Sequence, residues 1–155
     1  MYSRRTFGKV VVCGLMALPV FGLATRSTFA APSDKANLEA HIASLRSQCQ
    51  ALQRWHNENK PKGFAAPVVH EMRAKLSSCM GEFNKLRDEY RKTGKNQELS
   101  HVNDCLAKLT ALQGGLDRFE KAPNEAASKA AFVDCASLFA SFDNTYKANV
   151  GKLRF

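Results

Sequence analysis

One pattern occurs twice in this chain, and it strongly limits how the chain can fold. Residues 79–90 and residues 135–146 both read Cys-x3-Phe-x6-Tyr. The cysteine that opens each copy has a partner thirty positions upstream, at Cys49 and at Cys105. This symmetry predicts two related halves, each made of two elements that carry one cysteine apiece.

Apolar residues recur every three or four positions along four stretches, which predicts four amphipathic helices with one buried seam each. No stretch of residues 31–155 alternates as a strand does. Four such helices with short connections fold most simply as an antiparallel up-down four-helix bundle, so the predicted class is all-α. The seams are Leu38, Ile42, Leu45, Cys49, Leu52 and Trp55; Val69, Met72, Leu76, Cys79, Phe83, Leu86 and Tyr90; Leu99, Val102, Cys105, Leu109, Leu112, Leu116 and Phe119; and Phe132, Cys135, Phe139, Phe142 and Tyr146, widened by Val133 and Leu138.

Proline and glycine suggest where the helices end and where they are strained. Pro67 predicts the first residue of the second helix, because it has no amide hydrogen to satisfy. Gly94 predicts a left-handed cap after that helix. Gly114 and Gly115 lie inside the third helix, where each costs about 1 kcal/mol. Either a neighbouring helix packs closely against this pair or the helix bends there.

The first thirty residues have the features of an export signal. Residues 3–9 read Ser-Arg-Arg-Thr-Phe-Gly-Lys, residues 10–24 are mainly apolar, and Thr28-Phe29-Ala30 has the small residues of a cleavage site. This opening resembles the twin-arginine class of signal peptides and departs from it at Gly8, where leucine is usual. The resemblance implies export to the periplasm and cleavage near residue 30. A retained N-terminal anchor is the alternative, although the apolar run is short for a membrane span.

Cleavage would leave residues 31–155 as a single domain with modest charge. Four of the 23 basic residues lie in the signal and all 14 acidic residues follow it, so 19 minus 14 gives a net charge of +5. No aromatic-interleaved basic stripe is present, so nucleic acid is not a predicted partner. Four cysteines in an exported chain of this size favour two disulfides, because that compartment is oxidising.

The cysteine spacing predicts which pairs could form. In an antiparallel hairpin, residues equidistant from the turn lie at the same height, and the midpoints between successive cysteines fall at positions 64, 92 and 120, each at or near a connection. All four cysteines are therefore predicted at one level, where facing helices approach closely enough for a disulfide. Only neighbouring helices can be bridged, which leaves two connectivities. The equal spacing favours Cys49 with Cys79 and Cys105 with Cys135.

A metal site is the alternative use of this cysteine layer. Four thiolates at one level, with Met80 beside them, could hold copper or zinc. Exported bundles that store copper are similar in being lined with cysteine, but they carry many more cysteines, so the resemblance is partial.

Nothing in the sequence predicts catalysis, and no catalytic residue is assigned. There is no nucleophile elbow, no phosphate-binding glycine loop and no His-Glu-x-x-His motif. Trp55, His56 and Phe64 surround the first connection, and aromatic residues beside a loop are frequent interface anchors. The predicted function is a non-catalytic periplasmic binding module for a protein, a peptide or a small ligand. The alternative is a metal-binding or metal-storage protein.

Overall fold

The structure is a computed structural model that describes residues 35–155. The predicted signal peptide lies outside this range. The described residues form α1 (Lys35–Asn57), α2 (Lys62–Thr93), α3 (Asn96–Lys121) and α4 (Glu125–Asn149), followed by a short 3₁₀ turn at Val150–Lys152. No strand occurs among them.

The four helices form a ring that is loosely packed between α1 and α4. Each helix packs against the next one in the chain, and α1 also contacts α4. The connections are short, so successive helices run antiparallel. The predicted all-α four-helix bundle is confirmed. Within residues 35–155, no helix combines the length and apolarity needed to cross a membrane.

The predicted seams build the core, with a few exceptions. Phe83, Tyr90 and Phe142 are fully buried, as are most of the leucines on the seams. Cys49 is only half-buried, which opens the seam of α1 at one point. Val133 was predicted to widen the seam of α4, and this was wrong: its side chain is 56% exposed, because it lies one position after the buried Phe132 and turns to the outer side of the helix.

The end of α2 was predicted correctly from the sequence, but its start was not. The helix begins at Lys62, so the prediction that Pro67 is its first residue is wrong. Pro67 has no amide hydrogen to donate to the carbonyl of Gly63, and exposure of Gly63 in the first turn makes that loss tolerable. Gly94 adopts the predicted left-handed conformation with φ of 68°, and its N–H donates to the carbonyl of Tyr90.

The glycine pair in α3 marks a close approach to α4. A Cβ on Gly115 would lie 3.0 Å from Cδ1 of Leu138 and 3.1 Å from Sγ of Cys135, whereas a Cβ on Gly114 would meet only the tip of Arg118 at 3.8 Å. The first of the two predicted explanations, close packing, therefore applies to Gly115. It draws α3 and α4 into tight contact.

Candidate functional site

The four cysteines lie on the inner faces of four different helices. Cys79, Cys105 and Cys135 are buried and Cys49 is half-buried, and all four are free thiols. The predicted Cys49–Cys79 and Cys105–Cys135 disulfides are therefore not formed in this structure.

In the first hairpin, helix register explains why no bridge forms. The α1–α2 connection centres near residue 60, and the Gln48 amide reaches the Glu71 carboxylate across the two helices. Cys49 is therefore level with about residue 70 of α2. Cys79 lies nine residues further along, which is roughly 13 Å at 1.5 Å per residue. A disulfide requires Cα atoms within about 7 Å.

In the second hairpin the separation is similar. Cys135 packs against Gly115 of α3. Cys105 precedes Gly115 by ten residues, so it lies roughly 15 Å further along the helix axis. The prediction that all four cysteines lie at one level was wrong. When the midpoint between two cysteines lies a few residues from the true turn, those cysteines are offset along the helix axes by twice that number of residues.

The thiols instead affect one another's pKa across the α2–α3 pair and the α1–α4 pair. Burial raises the pKa of Cys79 and Cys105 to about 12, and that of Cys49 and Cys135 to about 11. Cys105 on α3 adds to the raised pKa of Cys79 on α2, and Cys49 on α1 adds to the raised pKa of Cys135 on α4. All four sulfurs are thus protonated thiols at neutral pH.

A metal would have to overcome this protonation, because the thiolate is the form that binds metals. Within residues 35–155, no three His, Cys, Asp or Glu side chains are grouped so that they could hold one ion. Met80 lines an open groove of about 510 Å³ between α2 and α3, beside Leu76 and Gln113. The copper or zinc alternative stays a prediction without a formed site.

The predicted aromatic partner surface is divided between core and surface. Trp55 is 4% exposed, its Nε1 donates to the carbonyl of Pro61 at 2.9 Å, and its ring packs on the edge of Phe119. The ring of half-buried His56 stacks on Phe132 at 4.4 Å. Only Phe64 is well exposed, at 65%. Trp55 closes the end of the bundle here, so a partner could reach Phe64 but not Trp55 in this conformation.

A groove between α1 and α4 is the feature that sequence reasoning missed. These two helices touch less extensively than the other neighbouring pairs. The opening has a volume of about 350 Å³, and Cys49 and Phe139, two core-seam residues, form part of its lining. We call it the α1–α4 groove, and its lining residues are Arg46, Cys49, Gln50, Gln53, Ala136, Phe139, Ala140, Asp143 and Asn144. The half-burial of Cys49 is its clearest sign.

An ion-pair cluster lies at one side of the groove. Asp143 accepts hydrogen bonds from Arg46 of α1 and pairs with Lys147 of α4 at 2.6 Å. Burial alone would raise the pKa of Asp143, but the hydrogen bonds from Lys147 and Arg46 outweigh it and hold the pKa below its usual value. The carboxylate is therefore charged at neutral pH and links α1 to α4.

Small, uncharged residues border the groove on both sides. On α1 and on α4 the outward positions recur every three or four residues, so each set forms a continuous helix face. These two rows contain no charged residue, although exposed Asp134 and Lys147 lie beside the row on α4. The exposed residues of the two rows are Ala40, Ala43, Ser47 and Gln50 on α1, and Ala126, Ala130, Val133, Ser137, Ala140 and Asn144 on α4.

Comparisons with known proteins identify no relative for this chain. No protein-family model, no curated protein and no solved structure matches it.

Proposed function

We propose that this chain is an exported, non-catalytic binding module that receives a helix of a protein partner in the α1–α4 groove. The observation that carries this proposal is the incomplete closure of the bundle at this seam, which leaves Cys49 and Phe139 lining an open groove. Every other neighbouring pair of helices is more fully packed.

A helix is the occupant that best matches the dimensions and lining of the groove. A groove between two antiparallel helices is straight, and the ridge of a third helix can lie in it at an axis distance of 8–10 Å. Small residues such as Ala136, Ala140 and Ser47 allow this close approach. Apolar anchors of the incoming helix would cover Phe139 and Cys49, in the way amphipathic helices bind apolar grooves.

The α2–α3 side of the bundle is less suited to such a partner. Arg73 spans these helices and bonds Asp117 at 2.7 Å and Glu120 at 2.6 Å. The hydrogen bonds that Arg73 donates to Glu120 and Asp117 raise its pKa above the usual value, although burial acts in the opposite direction. A partner on this side would have to accommodate three charged groups, as it would with Arg46, Asp143 and Lys147 at the α1–α4 groove. The closer packing of α2 on α3 is therefore what makes this side less suited.

Photo-cross-linking in intact cells tests the proposed groove. The photoreactive amino acid p-benzoylphenylalanine is placed at Ala140 in the groove, or at Ala111, an equally exposed alanine on α3. We expect a discrete adduct at position 140 that is absent at position 111, and mass spectrometry should map it to a helical segment of another polypeptide. Equal labelling at both positions, or none at position 140, would contradict the proposal.

The export part of the proposal rests on the twin-arginine-like opening and has its own test. Replacing Arg4 and Arg5 together with lysine keeps the charge but removes the arginine pair. We expect the precursor to accumulate unprocessed in the cytoplasm, while the unchanged chain reaches the periplasm. Normal processing of the double variant would show that another export route is used.

A further inference from the structure

The exposed small residues of α4 have the same spacing in both chain directions. Their positions 126, 130, 133, 137, 140 and 144 follow steps of four and three. When a second α4 lies antiparallel to the first about a centre at position 135, Ala130 meets Ala140 and Val133 meets Ser137. Such self-complementarity is what a twofold interface between identical subunits requires.

We infer that the helix received by the α1–α4 groove is α4 of a second copy of this chain. This inference rests on the proposed function and names the partner. The two α4 helices lie antiparallel across a twofold axis near Ala136, and each fills the groove of the other copy. Val133, one of the few large hydrophobic side chains exposed in the described residues, is covered in this arrangement.

The charges that flank the face are complementary in this register. Lys129 of one copy faces Asp143 of the other, and Lys147 faces Glu125. Both charge pairs are centred on Ala136, one residue from the centre of the small-residue pairs, an offset that long lysine side chains can span. The four side chains lie on the flank of α4 that borders α1, and in an antiparallel helix pair the same flanks of the two helices meet. In a parallel arrangement, by contrast, each residue would face its own type, so lysine would oppose lysine.

Glu125 is partly exposed, but its unpaired oxygen is buried in the single copy, so pairing with Lys147 of the second copy requires this carboxylate to turn outward. Its Oε2 accepts from the amide of Lys62 at 2.8 Å, whereas its Oε1 has no hydrogen-bond partner among residues 35–155. The side chain of Lys147 is 63% exposed in the single copy, where its ammonium group pairs with Asp143. The opposite flank carries Asp134, and Arg118 lies 4.0 Å from it, which offsets repulsion between the two copies of that carboxylate.

Small residues at the centre let the two helices come close together. Alanine and serine leave little side-chain volume between the backbones, so the helix axes can approach to about 8 Å. A long charged side chain at Ala140 would hold the helices apart and place an unpaired charge in the interface. The same substitution at Ala111 on α3 leaves this surface unchanged.

The molar mass of the purified full chain in solution provides the test. We expect multi-angle light scattering, read over a hundredfold concentration range, to give twice the mass of a single chain. Ala140→Arg should give the single-chain mass, while Ala111→Arg should keep the dimer. Both variants should keep the helical circular dichroism and the melting temperature of an intact bundle, so that loss of dimer is not confused with unfolding.

Cross-linking through an introduced cysteine fixes the register. Ser137 lies within one helical turn of the proposed axis, so Ser137→Cys should form a bond between copies under mild oxidation. Ala111→Cys should not, and the unaltered chain gives the background of its native thiols. A single-chain mass at all concentrations would overturn the inference, as would equal cross-linking at both positions. If that monomer still gave a position-140 adduct with a different protein, the proposed groove would stand and only the second copy would be wrong.

Discussion

The two copies of the Cys-x3-Phe-x6-Tyr pattern lie in unequal surroundings. In α2, the side chains of Cys79, Phe83 and Tyr90 are fully buried. In α4, Phe139 and Tyr146 each retain 7% exposure, and Phe139 lines the α1–α4 groove. The tyrosine hydroxyls also differ. That of Tyr90 is hydrogen-bonded, whereas that of Tyr146 has no hydrogen-bond partner among the described residues.

The neighbours of each helix account for this difference. The helix α2 packs between α1 and α3, so the cysteine, phenylalanine and tyrosine of its copy are enclosed. The helix α4 is pressed against α3 at Gly115 but contacts α1 only loosely. The repeated pattern therefore produces the same inner face on α2 and α4, but only the seam of α4 is incompletely covered. That seam is the surface at which we propose that a partner binds.

The phenylalanines of the two copies should show the largest contrast. Phe83 has no exposed surface and meets Phe142 edge-on at 6.1 Å, so Phe83→Ala leaves a cavity in the core. We expect a loss of about 3–5 kcal/mol in the free energy of unfolding. Phe139→Ala opens a site that solvent already reaches, and we expect about 2 kcal/mol or less. Urea denaturation measures both, and equal losses would contradict the comparison.

The two adjacent glycines of α3 test how tightly α4 is held on its closed side. Gly115→Ala would place a methyl group about 3 Å from Leu138 and Cys135. We expect a net loss of roughly 1–2 kcal/mol, because overpacking exceeds the gain in helix propensity. Gly114→Ala meets no such neighbour and should stabilise the chain by about 0.5–1 kcal/mol. Thermal melts followed by circular dichroism would give opposite signs, and two shifts of the same sign would argue against close packing at Gly115.

The tyrosine hydroxyls should also separate the two copies. The Tyr90 hydroxyl donates to the carbonyl of Arg154 at 2.9 Å and accepts from its amide at 3.0 Å, which fixes the C-terminal tail. Tyr90→Phe removes both hydrogen bonds and leaves the carbonyl and the amide of Arg154 without them. We therefore expect a loss of about 1–2 kcal/mol in the free energy of unfolding. Tyr146→Phe removes a buried hydroxyl that has no partner and should change stability by less than about 0.5 kcal/mol. Denaturant midpoints measure both, and a large loss for Tyr146→Phe would indicate an unseen hydrogen bond.

The fold was predictable because it depends on spacing alone. Apolar residues at three- and four-residue steps specify which face of each helix is buried, and the short connections specify which helices are neighbours. The Gly94 cap was equally local, since only glycine adopts that conformation easily. Val133 was misplaced because one position along a helix turns a side chain by about 100°. Pro67 was misplaced because an exposed first turn tolerates a proline.

The candidate site was not predictable, because it depends on register and on closure between distant helices. Cys49 and Cys79 have the same spacing as Cys105 and Cys135, but neither pair is level, because each turn lies several residues from the midpoint. The α1–α4 groove joins the first and last helices, and no local pattern reports how tightly they pack. Its clearest sign, the half-burial of Cys49, is seen only in the structure, because Cys49 reads as an ordinary seam residue in sequence.

The smallest contrast concerns the thiols of the two copies. Because the pKa of each buried thiol is raised above its ordinary value near 9, folding favours the protonated form; this contribution is complete below pH 9 and is lost as pH rises through 11 to 12. Cys79, with the higher pKa of about 12, should resist alkylation longer than Cys135, with a pKa of about 11. Cys49 should react first, because it is half-buried in the groove. Timed iodoacetamide labelling of the native chain at pH 9, mapped by mass spectrometry, gives the order, and earlier labelling of Cys79 would show that α2 rather than α4 is the more open helix.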